Sequence, residues 1–155
     1  MIMTQDISKL SIRAATWLAV QCLKKYCTTV NLEDYRLSQF CDHLVSLTTA
    51  NDIPAWDALG DSLAITGLGD PMPDEYQSNK QLEEIISCAR EISAAQIYGA
   101  WNPQYTAKYL ARTMHLAGVS ITNQTYQLLS RHEPLVHGFG NPVEDKLLKL
   151  WKESI

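Results

Sequence analysis

From Leu37 to Asn79 the 155-residue chain contains no lysine and no arginine. Affinity for a polyanion rests mostly on Lys and Arg contacts to phosphate, so this part of the chain is not a nucleic-acid surface. Long apolar runs are also missing: the longest, Ala14 to Val20, falls well short of the roughly 20 residues that a membrane span needs. The start, MIMTQDISKL, has no basic stretch leading into an apolar run and a small-residue cleavage site. Neither secretion nor organelle import is therefore expected, and cytoplasmic placement is. Cysteine is scarce: Cys22, Cys27, Cys41 and Cys88 sit in helical segments, not at the turn-rich spacings of a disulfide framework. They read as reduced and mostly buried side chains. Cys22 and Cys27 are five apart and form no CxxC redox pair.

Catalytic signatures are lacking too. There is no G-x-S-x-G, and no cysteine has a protease-like histidine context. His132, Glu133 and His137 approach the zinc motif HExxH, but the spacing is one residue too long and Pro134 interrupts the helix that would align both imidazoles. Cys41 and His43, two apart on a helix, point to opposite sides. Gly67 and Gly69 suggest a phosphate loop, yet the acids Asp70 and Asp74 follow instead of Gly-Lys-Ser/Thr. No catalytic residue, metal or cofactor is assigned.

What the chain has is helical periodicity in a composition of 46% hydrophobic and 19% charged residues, that of an ordinary globular domain. Apolar residues recur at helical spacing and no segment alternates at period two. The expectation is all-α: a single domain over residues 1–155, a compact bundle of six to seven helices with no significant β-sheet. The first helix is expected over Asp6 to Tyr26. A second opens at an Asn31 cap, with Glu33 and Asp34 in its first turn. A third follows Asp52, takes Pro54 into its first turn and runs to Gly67. Ser78 with Gln81 reads as a capping box before Leu82, Ile85, Ile86 and Ala89. Asn102 and Pro103 open a helix that Gly118 ends. Another spans Thr122 to Arg131, and Asn141, Pro142 and Glu144 start the last.

The net charge of −4 is unevenly spread. The cation-free stretch holds Asp42, Asp52, Asp57, Asp61, Asp70, Asp74 and Glu75, which leaves the rest of the chain with more basic than acidic residues. Asp57 and Asp61 stand one helical turn apart, where like charges repel by a few tenths of a kcal/mol. A cationic partner would relieve that repulsion. Trp56 beside them reads either as core or boundary packing at a helix end or, as an aromatic with charged neighbours, as a binding hot spot. Within GLGDPMPDEY, residues 67–76, the prolines stiffen a crossing between two helices and the acids extend the negative surface. The candidate partner-binding set is Asp52, Trp56, Asp57, Asp61, Asp70, Asp74 and Glu75. Its partner would carry a basic surface.

In size, helical character, acidic surface and absence of a catalytic motif, the whole chain resembles the small all-α immunity proteins with which bacteria neutralise a cognate toxin, as in contact-dependent inhibition. That resemblance implies a non-enzymatic module bound to a toxin domain, often a nuclease, whose cationic surface the acidic face covers or distorts. It assigns no oligomeric state and involves neither nucleic acid nor membrane. The alternative is a small helical enzyme whose metal or acid/base site is assembled from dispersed groups such as His43, His115 and His132 with several carboxylates.

Overall fold

The computed structural model describes residues 5–67, 70, 72–97, 99, 101–135 and 137–155. These are all-helical, with no strand among the described residues. After a short 3-10 turn (Ile7–Lys9) come α1 (Ile12–Thr29), α2 (Tyr35–Ser46), α3 (Ile53–Gly60), α4 (Asp74–Gln77), α5 (Lys80–Ala94), α6 (Pro103–Ala117), α7 (Asn123–Ser130) and α8 (Asp145–Ser154). No helix among the described residues is long and apolar enough to cross a membrane.

α1 is the axis of the fold. Every residue from Ile12 to Val20 is buried: apolar side chains point to all sides of the helix, with Arg13 and Thr16 buried among them. Its alanines at 14, 15 and 19 keep the surface low, and α2, α5 and α6 pack around it while α5 and α6 lie on each other. Large side chains such as Trp17, Leu18 and Leu23, all essentially sealed from solvent, each contribute about 1.5–3 kcal/mol by burial. α7 and α8 pair at one side. There Trp151 meets Trp17 at 5.5 Å between ring centres and donates its indole N–H to the Leu128 carbonyl at 2.8 Å.

Helix boundaries follow the caps, and several differ from expectation. The helix expected from Asp6 is divided. The Asp6 carboxylate caps only the 3-10 turn through Ser8 N–H, and α1 restarts at Ser11, whose hydroxyl accepts from Ala14 N–H. Asn31 does not open α2; it adopts φ 56° just beyond α1, and the cap is Asp34, accepting from Arg36 N–H at 2.8 Å. α8 starts three residues later than Asn141, after Glu144, because Val143 is drawn into the core and its N–H bonds the Thr48 carbonyl at 2.7 Å.

Elsewhere the signals hold, with shifts. Asp52 caps α3 and Pro54 sits in its first turn, but the helix stops at Gly60 and not at Gly67. Asn79, not Ser78, caps α5 by accepting from Leu82 N–H. Asn102, Pro103 and Gly118 bound α6 as expected. Gly118 takes φ 67°, and the N–H groups of Gly118 and Val119 return to His115 and Met114, a Schellman ending. The short α4 has no counterpart in the sequence reading; Tyr76, fully buried, holds it to the core. Of the stretch 67–76, Leu68, Gly69 and Pro71 lie outside the described residues, and with them the Gly67/Gly69 comparison and one of the stiffening prolines.

Candidate interaction surface

α2 is the spine of the acidic side. Toward its C-terminal end His43 supports α3: the imidazole stacks on the Trp56 ring at 4.4 Å with planes 8° apart. Trp56 Nε1–H donates to the His43 carbonyl and the Ser46 hydroxyl, both at 2.9 Å. At the other end Arg36 bridges outward, donating to Asp34 at 2.8 Å and reaching Glu75 of α4 at 3.2 Å. One helix thus brings α3 and α4, distant in sequence, onto the same side.

The seven sequence-derived residues fall into two groups. Asp52, Asp61 and Asp74 are exposed and enter no ion pair among the described residues; Asp52 caps Ala55 N–H and Asp74 accepts from the Gln77 amide. The other four are engaged. Asp57 accepts from Arg90 of α5 at 2.6 Å, with both side chains largely shielded at 15% and 13% exposure. Asp70 accepts from the amide and hydroxyl of Thr66, closing the turn after α3. Glu75 leans on Arg36. Trp56 is only 5% exposed, so its ring fills the α2–α3 junction and does not project as an anchor.

The cations that compensate these acids come from just outside the cation-free stretch. Arg36 precedes it and Arg90 follows it. The repulsion anticipated between Asp57 and Asp61 is therefore relieved inside the molecule on the Asp57 side, leaving Asp61 as the outward charge. Three residues after Trp56, Leu59 is 73% exposed and supplies the projecting apolar group that Trp56 does not. Arg90 also lies 5.9 Å over the Trp56 ring, so the tryptophan is flanked by an imidazole and a guanidinium. Burial first, and then the Arg90 charge, hold the His43 pKa below the ordinary histidine value, with Asp57 and Asp61 pulling the other way.

The histidines considered for an enzymatic site are held separately. His43 lies against Trp56, and His115 is exposed in the last turn of α6. His132 is buried between Ser11 and Asn141, its Nδ1 at 2.6 Å from Ser11 Oγ and its Nε2 at 2.6 Å from the Asn141 carbonyl. A carbonyl only accepts, so Nε2 carries the proton and Nδ1 accepts from the Ser11 hydroxyl. This serine–histidine pair is 121 residues apart in sequence, and no local motif marks it. Its serine is fully buried and caps α1, so the pair ties the C-terminal loop to the start of α1. Beside it Arg13, also buried, donates to the carbonyls of Leu47, Ala50 and Gly140. That places a positive charge at the C-terminal end of α2, where the helix dipole favours one. No three His, Cys, Asp or Glu side chains among the described residues converge as metal ligands.

Comparison with protein-family models, with curated proteins and with solved structures found no match to this chain.

Proposed function

We propose that the chain is a non-enzymatic protein-binding module that neutralises a bacterial toxin, docking a basic toxin surface with its α2–α4 side. One observation carries this reading. Among the described residues Asp52, Asp61 and Asp74 are exposed without an ion-pair partner, whereas Asp57 and Glu75 are paired with Arg90 and Arg36. Three uncompensated acids are thus left to solvent, and Leu59 projects from the short helix that Asp52 and Asp61 cap. Such a surface accelerates encounter with an oppositely charged partner by about 10- to 1,000-fold and repels wrong ones. An apolar side chain within an acidic surround gives the fully desolvated contact that charge alone does not.

The test is protection in cells. A toxin domain encoded immediately upstream of the gene is co-expressed with the wild-type chain or with the triple variant Asp52→Lys, Asp61→Lys, Asp74→Lys. Growth rescued by the wild type and lost with the equally stable triple variant supports the reading. Absence of such a toxin gene contradicts the toxin partner, and undiminished rescue by the triple variant contradicts the acidic face.

A further inference from the structure

On the other flank of α2, facing the C-terminal half of α1, lies an open groove of about 620 Å³, within the size range of sites that hold small ligands or a few peptide side chains. Its floor is apolar: Cys27, Leu32, Leu37 and Cys41. Burial pushes the Cys41 thiol up to about 12 and raises that of Cys27 as well. Both sulfurs are therefore uncharged thiols that line the groove as small apolar groups.

The rim has the opposite character. Glu33, Asp34 and Asp42 line it, with Lys24 as the basic residue among the lining. Asp34 is paired with Arg36 at 2.8 Å, so the rim's uncompensated carboxylates are Glu33 and Asp42, both exposed and in no ion pair among the described residues. At its mouth Tyr35 stands 72% exposed. A tyrosine so placed offers a flat apolar face and a hydroxyl at low conformational cost. An apolar floor below a carboxylate rim is matched by an occupant with an apolar body and flanking positive charge, and it repels phosphates.

We propose that this groove receives an extended segment of the protein partner in which an apolar residue is flanked by arginine or lysine. This rests on the protein-binding reading above and extends it from the α3–α4 acids to a second contact across α2. The apolar residue packs on Leu32 and Leu37 beside the two thiols, its cationic neighbours meet Glu33 and Asp42, and Tyr35 covers the segment.

The test uses the whole ¹⁵N-labelled chain and a synthetic peptide, acetyl-Lys-Arg-Leu-Arg-Lys-amide, with a peptide of the same length carrying glutamate in place of every basic residue as control. The expected result is saturable shifts of the Cys27, Tyr35 and Ser38 amides at peptide concentrations of about 1 mM or below. Slower alkylation of Cys27 should accompany them, with neither effect from the control. The surface variant Glu33→Lys, Asp42→Lys should weaken binding at least about tenfold. Absence of saturable shifts, equal binding of the glutamate peptide, or indifference to Glu33→Lys, Asp42→Lys overturns the groove assignment. Because the triple variant is read separately in the toxin assay, failure of the groove leaves the acidic-face reading standing or falling on its own result.

Discussion

Arg90 of α5 donates to Asp57 of α3 at 2.6 Å while its guanidinium lies 5.9 Å from the Trp56 ring. This pair joins the short α3 to the bundle. With both side chains mostly shielded, each charge depends on the other, and deleting one partner leaves the second without compensation. Asp57→Asn should cost about 2–3 kcal/mol in urea unfolding. Arg90→Met with Asp57→Asn together should cost less than the sum of the two single changes, as a double-mutant cycle would record. An additive cycle would contradict the coupling.

Trp56 and Leu59 separate stability from docking. Trp56→Phe removes the donor to the His43 carbonyl and Ser46 hydroxyl and should lower stability by about 1 kcal/mol, with toxin protection retained wherever the chain remains folded. Leu59→Ser, at an exposed position, should leave the melting temperature nearly unchanged and weaken partner binding by about tenfold or more. Calorimetric melting paired with the protection assay distinguishes the two.

Gly60 is required by its neighbour and not by its backbone. A β-carbon there would stand 2.1 Å from His43 Nε2, so Gly60→Ala should destabilise by about 1–3 kcal/mol despite alanine's helix preference. Combining it with His43→Ala should cost less than the two single changes added together, because the obstructing ring is gone. Thermal melts of the three variants check this.

Stability should fall on mild acidification. Burial, with the Arg13 charge nearby, lowers the His132 pKa in the fold despite its bond to Asn141, and burial with Arg90 lowers that of His43. Both are depressed below the unfolded value of about 6.5, so between the folded and unfolded pKa values the unfolded chain binds more protons. Stability therefore rises with pH across that window, is complete above about pH 6.5, and is lost progressively below it. Protonated Nδ1 of His132 could no longer accept from Ser11. Urea midpoints from about pH 5 to pH 7.5 should show this slope, and His132→Gln should make it shallower. Asp34, held down to about 2, acts in a separate window, its contribution being lost from about pH 4 downward.

Where a helix signal stood alone, the sequence was sufficient. Asp52 with Pro54, Asn102 with Pro103 and Gly118, and Thr122 each act where their local chemistry places them. Where several capping residues were available in succession, tertiary contacts chose among them: Ser11 is fixed by His132, and Val143 by the Thr48 carbonyl. The acidic stretch was legible as a composition, and the exposed Asp52, Asp61 and Asp74 follow from it. The pairing of Asp57 with Arg90 and of Glu75 with Arg36 was not, because those partners lie 33 and 39 residues away. Nor was the exchange of Trp56 for Leu59 as the projecting group. Hydrophobicity alone does not say which apolar residue of a short helix faces its neighbour.

The decisive measurement is the association rate of the toxin domain proposed as partner with the wild-type chain and with the Asp52→Lys, Asp61→Lys, Asp74→Lys variant, at about 50 mM and about 500 mM salt. Charge reversal should slow association about 100-fold at low salt, and high salt should remove most of the difference. Equal rates for the two proteins at low salt would contradict the acidic face.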